Sequence, residues 1–408
     1  MRILVHDFPG YAFPFQLSRW LAAQGHEVLH LFSTSIEAPR GRTDARPDDP
    51  PTLTIEAVSL GAALSKYNLP RRLLQERGYS RLLARRLDAF APDAVISGNC
   101  SPGVQRALLR AAHRDGARFV YWLHDIYYFA LERALASRLP RLGRPAVGVL
   151  RRMEMAALRD SDGVVAITED FRPILARGGV AAERVHVIEN WAPLAEATPP
   201  ATRTWREEQG LEGRFLFLYS GTLGLKHNPA LLAALARAFH DDPEVAVVVV
   251  TQGLGRDWLE RAKASEGLRN LVLLDYQPAA RVPEVIGAAD VLVAILEPYA
   301  GVLSVPSKVL TYLCSGRPIL GAVPTSNLAA RTVEGAGAGV VVPPDDEAGF
   351  VSAARRLRSD DGLRERLGRA GRVYAETAFD IDRIGQRMLS VLNGERGDAS
   401  TRTSGLAC

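Results

Sequence analysis

Lysine is almost missing from this chain. Of its 50 basic residues only four are lysines, at 66, 226, 263 and 308, so nearly all the positive charge is arginine. Cysteine is as scarce. Cys100, Cys314 and Cys408 lie far apart with no C-x-x-C spacing, which argues against a disulfide framework or a zinc knuckle and predicts reduced thiols in a cytoplasmic protein. No His/Cys cluster has metal-ligand spacing. No run approaches about 20 apolar residues, so nothing is expected to span a bilayer. No self-similar repeat is visible. The opening "MRILVHDFPG" reaches an acid, Asp7, after a few apolar residues, and reads as a first strand rather than a signal peptide.

What the chain does have is alternation. It holds 408 residues, too many for one typical core, so two domains are expected. It is 47% hydrophobic and 24% charged, with net charge +4, an ordinary globular balance tilted mildly toward anionic ligands or surfaces. Strand-like runs "RILVHDF", "HEVLHLFS", "AVISGN", "RFVYWLHD", "GVVAIT" and "VHVIEN" alternate with helical patterns. That predicts a parallel α/β sheet covered on both faces. The stretch 191–205, "WAPLAEATPPATRTW", has no periodicity and reads as an inter-domain linker. A second series then follows: "RFLFLYS", "EVAVVVVT", "LVLLDY", "DVLVAIL", "PILGAV" and "GVVVP". The tail 394–408 has almost no apolar content and is expected to be disordered. Two such sheets are expected to place ligands beyond their strand C-termini, in a cleft between the domains.

Two of the four lysines lie in strand-following loops of the second series. In "YSGTLGLKHNP", 219–229, Gly221 and Gly224 allow a tight turn after a strand, Lys226 follows, and Pro229 opens a helix. Free N–H groups at a helix start, with a flexible ammonium beside them, suit a diphosphate. The plain alternative is a loop with a surface lysine. The G-x-x-x-x-G-K-[ST] order of a Walker A loop is absent. In "EPYAGVLSVPSKVLTYLCSGRP", 297–318, Glu297 leaves a strand, Pro306 opens a second helix, and Ser304, Ser307 and Lys308 stand near its start. Two lysines beside two helix starts of one domain weaken the plain alternative for the pair.

These segments resemble glycosyltransferases of the GT4 family, with the GT-B fold, and most closely the bacterial exopolysaccharide and colanic-acid type. The resemblance runs over nearly the whole chain, through "MRILVHDFPG", "HDIYY" at 124–128, "VVAITEDF" at 164–171, "VIENWAP" at 187–193, "YSGTLGLKHNP", "VPSKVLTYLCSGRPIL" at 305–320 and "GAGAGVVVPPDD" at 335–346. It implies two Rossmann-like α/β domains facing a central cleft. Residues 1–195 would bind the acceptor and 196–380 the nucleotide sugar, with a C-terminal helix, 381–393, packing back on the first domain. It also implies a retaining, metal-independent transfer of a sugar from a nucleotide-diphosphate donor to a hydroxyl acceptor, with no cofactor.

The resemblance assigns roles residue by residue. Lys226 and the Gly221–Gly224 backbone, including Thr222, would neutralise the donor diphosphate. The family's arginine is missing here, its place taken by Thr222 or Leu223, and Lys308 is the candidate replacement. The two glutamates of the family's signature fall on Leu303 and Thr311. Thr311 could then offer one hydroxyl to the ribose, and Ser304 would read the donor sugar. Glu297 is either a sugar contact or a solvated charge. Gly253 in "TQGLG" is a donor-side turn or a plain one, and Tyr276 marks the nucleobase pocket, contacting the base through its backbone. In the first domain His124 would lie near the donor sugar and acceptor and orient the sugar, and Asp125 beside it and Lys226 are the other catalytic candidates. Gly10 would be the close-approach loop, with Asp7 and Tyr11 as weaker candidates. The Asp-x-Asp pairs "DSD", 160–162, and "DID", 380–382, are misplaced for the metal site of a GT-A enzyme and read as solvated turns or caps.

Two first-domain stretches are strongly basic. Residues 69–90 carry six arginines against two acids, and 131–160 seven against three, with Leu and Val interleaved. They read either as a solvated face or as peripheral contact with anionic lipid at the inner face of the membrane. The acceptor is then a glycan, a lipid-linked sugar or a small molecule; no nucleic acid is expected. The alternatives are a GT-B enzyme like the UDP-sugar 2-epimerases and a non-catalytic nucleotide-sugar-binding protein.

Overall fold

The first sheet is built on β1 (Arg2–Asp7), whose RILVHD side chains are buried from Ile3 onward. A strand buried on both faces must have helices on both sides, and it does. The fold is known here from a computed structural model that describes residues 1–36, 43–65, 68–129, 132, 143–199, 204–224, 226–301 and 305–397. The described chain divides into two compact units: Met1–Glu189 with the residues from Ile381 on, and Asn190–Asp380.

The first unit's sheet has seven parallel strands in the order β3-β2-β1-β4-β5-β6-β7. They are β1, β2 (Glu27–Ser33), β3 (Leu53–Val58), β4 (Ala94–Gly98), β5 (Arg118–Leu123), β6 (Gly163–Ala166) and β7 (Val185–Val187). β3 is one strand more than the apolar runs predict. It lies at the sheet edge, is exposed or half-exposed at five of its six positions, and so lacks the continuous apolar run of its neighbours. The helices that matter below are α1 (Ala12–Ala23), α2 (Leu69–Phe90), α3 (Pro102–Arg114) and α4 (Gly143–Asp160). On α2, Tyr79, Leu83 and Leu87 are buried at a spacing of four, the signature of one face packed on a core.

The second unit repeats the plan with six parallel strands in the order β10-β9-β8-β11-β12-β13. These are β8 (Phe215–Ser220), β9 (Val245–Val250), β10 (Leu271–Leu274), β11 (Val291–Ile295), β12 (Ile319–Ala322) and β13 (Gly339–Val342). β9, VAVVVV, is buried at every position. Around them lie α5 (Pro229–Ala238), α6 (Leu254–Glu266), α7 (Lys308–Cys314), α8 (Glu347–Ser359) and α9 (Asp361–Ala378). In both sheets the strand order reverses once, between β1 and β4 and between β8 and β11. Such switch points open a crevice at the strand C-termini.

The stretch expected as a featureless linker is packed. Trp191, Ala192 and Ala197 are buried, residues 194–197 form a helical turn, and Arg372 of α9 donates to the Thr198 hydroxyl. Trp205 is fully buried and donates from Nε1 to Gln277. The two tryptophans bury what the Ala/Pro/Thr composition conceals. Residues 200–203 lie outside the described residues.

The last helix, α10 (Ile381–Asn393), belongs to the first unit. Its Gly385 meets the flat face of Trp20 on α1, where any Cβ would stand 2.4 Å from the ring. Asp382 accepts from Trp20 Nε1 at 2.7 Å, and Arg118 donates to the Val391 carbonyl at 3.1 Å. Asp382 of "DID" is therefore a tertiary tie rather than a solvated turn. In "DSD", Asp162 accepts from the Phe119 N–H at 2.8 Å and bonds His113. Of the tail expected to be disordered, Gly397 donates to the Glu183 carbonyl at 2.9 Å, and 398–408 lie outside the described residues.

Candidate functional site

In the first unit the loops after β1, β4 and β5 meet at the switch point around a cavity of about 360 Å³, lined among others by Tyr11, Arg72, Asn99, His124, Asp125 and Tyr127. Asp7 closes β1. Its carboxylate accepts from the Tyr11 N–H at 2.6 Å and the Asn99 amide at 2.7 Å, joining the β1 and β4 loops. Burial pushes Asp7 up to about 6 against those hydrogen bonds. Asn99 holds φ +56°, tolerable for the short polar side chain of an asparagine. Gly10 sits between Asp7 and Tyr11 with φ +78°, beside the cavity's rim residues Pro9 and Tyr11.

His124 stands just past β5 and is buried, with Trp122 at 4.8 Å and Phe13 at 5.6 Å between ring centroids. A Cβ on Gly98 would lie 2.9 Å from its Cε1, so only glycine at the end of β4 admits the ring. Asp125, next in the chain, is exposed. The loop is anchored by a residue that sequence reasoning passes over. Glu154 of α4 is fully buried and accepts from the Tyr127 N–H at 2.9 Å and the Tyr128 N–H at 3.0 Å. Burial raises it to about 7, and nearby Asp125 adds to this. An acid between Met153 and Met155, on the helix face that buries Ala157 and Leu158, was the signal available in the sequence.

In the second unit the loops after β8 and β11 are stitched together: the Glu297 N–H donates to the Lys226 carbonyl at 2.8 Å. Glu297 and Lys226 are both half-buried, so Glu297 is not a freely solvated charge. Gly221 has φ +126°, a region that side chains avoid, and a Cβ there would stand 3.4 Å from Lys308 Nζ. Gly224 carries no such angle; its N–H donates to His227 Nδ1 at 3.2 Å. The turn therefore depends on one glycine, not two. His227 is held down to about 3 by burial and by Lys308, so it is a neutral acceptor here. Asn228 caps α5 by accepting the Ala230 N–H, so part of that helix start is already satisfied.

Lys308 is the first residue of α7, two residues later than Pro306, where the helix was expected to open. Its Nζ lies 3.4 Å over the Tyr219 ring centroid, is shut off from water, and has no hydrogen-bond partner among the described residues. Whatever exposure the residue retains lies on its other atoms. Burial pushes its ammonium well below the ordinary lysine range. The next turn pins α7 to the sheet: the Tyr312 hydroxyl accepts from the Ser220 N–H at 3.1 Å and donates to the Ser220 carbonyl at 3.3 Å. Thr311 is half-buried beside it, and Ser307 is exposed with no capping bond. Ser304 and Leu303 lie outside the described residues.

The Tyr276 hydroxyl donates to Thr222 Oγ1 at 3.2 Å, so its side chain belongs to this loop cluster. Gly253, at φ +87°, caps α6. The second unit thus gathers Gly221, Thr222, Lys226, Tyr276, Glu297 and Lys308 around the ends of β8 and β11, while Gly10, His124 and Asp125 gather in the first. Among the described residues no three His, Cys, Asp or Glu side chains come together as a metal site.

Two family descriptions fit this arrangement. Residues 14–191 match the model of a glycosyl transferase 4-like domain, and 214–360 that of glycosyl transferases group 1. The chain is similar to the Escherichia coli (strain K12) protein WcaI, which carries the description of a colanic acid biosynthesis glycosyl transferase. They are 24% identical over 400 residues, 93% of this chain and 95% of that one. Its fold is similar to that of sucrose-phosphate synthase from Thermosynechococcus elongatus (TM-score 0.73, 16% identity, 96% of this chain and 98% of that one). It is also similar to Anabaena HepE in complex with UDP-glucose (TM-score 0.67, 16% identity, 96% and 99% covered). The chain is a glycosyltransferase built from two Rossmann-like α/β units of the GT-B class. The two matched segments together span most of the chain, which belongs to the GT4 family within that class.

Proposed function

We propose that the enzyme is a retaining, metal-independent transferase. It would move a sugar from a nucleotide-diphosphate donor to a hydroxyl of a lipid-linked glycan at the inner face of the membrane. One observation carries the donor half: the buried Nζ of Lys308 has no hydrogen-bond partner among the described residues, and it lies beside Gly221 in the loop that carries Lys226. A donor diphosphate would give Lys308 its counter-charge and lie within reach of the loop that carries Lys226. As the anomeric C–O bond to phosphate breaks, the two cations stabilise the departing nucleoside diphosphate. The acceptor oxygen bonds the same face of the anomeric carbon, and its proton passes to the leaving phosphate. His124 and Asp125 orient the sugars, with no resident cofactor and no metal.

The acceptor half rests on α2. Its first turn sets Arg72 in the cavity wall while Leu73 and Leu74, 58% and 66% exposed, stand outside. Leu74, Arg77, Arg81 and Arg85 follow at helical spacing, all exposed, the pattern of a basic helix lying on anionic lipid. No described helix is long and apolar enough to cross a membrane. Of the second basic stretch, residues 131 and 133–142 lie outside the described residues. HepE's complex with UDP-glucose makes a uridine donor the first to try.

The test is release of nucleoside diphosphate from UDP-glucose, GDP-mannose and ADP-glucose by the wild type and Lys226→Ala. A fall of about 100-fold is expected in the variant. Equal rates would remove Lys226 from the mechanism. Donor binding without turnover on any acceptor would leave the non-catalytic reading.

A further inference from the structure

We propose that Glu154 is a positioning residue of the transferase: its carboxylate sets the 124–128 loop so that His124 and Asp125 face the first unit's cavity. This rests on the reading that the cavity receives substrate. β5 ends at Leu123, and a helical turn begins only at Tyr127, so residues 124–126 have no ladder or helix to hold them. The N–H groups that open such a turn need acceptors from elsewhere. Glu154 supplies both from a separate helix, one oxygen to Tyr127 and the other to Tyr128, across 27 and 26 residues of chain.

The clamp reaches further than two amides. Tyr127 lines the cavity, and its hydroxyl donates to the Asn99 carbonyl at 3.4 Å. The Asn99 amide in turn reaches Asp7, which holds the Tyr11 N–H. Glu154 and Asp7 are thus the two ends of one hydrogen-bonded path through the wall of the site. Only a carboxylate can accept at both oxygens; an amide turns one of them into a donor facing an N–H.

A useful control lies at the other end of the same strand. Asp162 accepts the Phe119 N–H at 2.8 Å, also a carboxylate-to-backbone tie on β5, but it does not line the cavity. The experiment compares full-length wild type, Glu154→Gln and Asp162→Asn by hydrogen–deuterium exchange and by steady-state kinetics with UDP-glucose, GDP-mannose and ADP-glucose. In Glu154→Gln, exchange should rise about tenfold in peptides covering 124–128 and stay unchanged in β1 and β4. The turnover number should fall 10- to 100-fold with the donor KM within twofold. Asp162→Asn should leave turnover within twofold. Exchange in 124–128 equal to wild type overturns the proposal. So does a loss of protection spread over the whole first unit, or an equal loss of turnover in the control, since either marks a merely structural role. If the wild type turns over no donor, the transferase reading fails by itself, and the exchange pattern still decides whether Glu154 fixes the loop.

Discussion

The two units share one strand order over six strands and differ in how their switch points are held. In the first, the loops are tied by buried carboxylates: Asp7 between the β1 and β4 loops, Glu154 on the β5 loop. In the second the equivalent position holds a buried ammonium, Lys308, and a tyrosine, Tyr312, that ties α7 to the end of β8. Both arrangements cost stability at neutral pH, with opposite sign. Burial raises the carboxyls and lowers the lysine, so each group would rather be neutral than charged. A shared strand order thus leaves buried carboxyls at one switch point and a buried lysine at the other.

The comparison breaks most sharply at Lys308. Replacing it with methionine removes the uncompensated charge, so Lys308→Met should lower turnover 100-fold or more while raising the melting temperature by a few degrees. A variant that is both less stable and fully active would show that the cation is structural. The first unit gives a smaller effect through pH. Glu154 titrates near 7 when folded and at its ordinary 4.5 when unfolded, so its protonated form favours the folded state. That contribution is complete below about 4.5 and lost by pH 7, a difference on the order of 3 kcal/mol at most. The melting temperature of the wild type relative to Glu154→Gln should therefore fall as pH rises through this window. A flat difference between pH 4.5 and 8 would mean the carboxyl is not held in apolar surroundings. Smallest is the surface term. Leu73→Ser with Leu74→Ser should reduce flotation with anionic liposomes about tenfold, or about 1.4 kcal/mol, since a membrane surface covers only part of each side chain and full burial of one leucine is worth about 1.5–3 kcal/mol. Unchanged flotation would return α2 to an ordinary solvated face.

The sequence shows the strands because each is a compact apolar run, and the two lysines because lysine is otherwise rare. β3 escapes because five of its six side chains see solvent. Lys308 is visible as a loop-end lysine, but not its lack of a partner, which depends on how Tyr219 and Gly221 pack around it. The missing glutamates at 303 and 311 are legible by counting. The role of Glu154 in the first unit is not, because its partners lie 27 and 26 residues away along the chain and are backbone groups. Local pattern records what a side chain is; Asp7, Glu154 and Tyr312 acquire their roles only from what the topology brings opposite them.

The return of α10 to the first unit has a consequence for biosynthesis. The first unit is complete only when Gly385 covers Trp20 and Asp382 meets the indole nitrogen. The ribosome must first deliver the whole second unit, Asn190–Asp380, which at about 5–20 residues per second takes about 10–40 seconds. Throughout that interval the nascent first unit carries a bare indole groove. A product truncated before residue 381 would keep it bare permanently, which makes the last turns of the chain a checkpoint on synthesis.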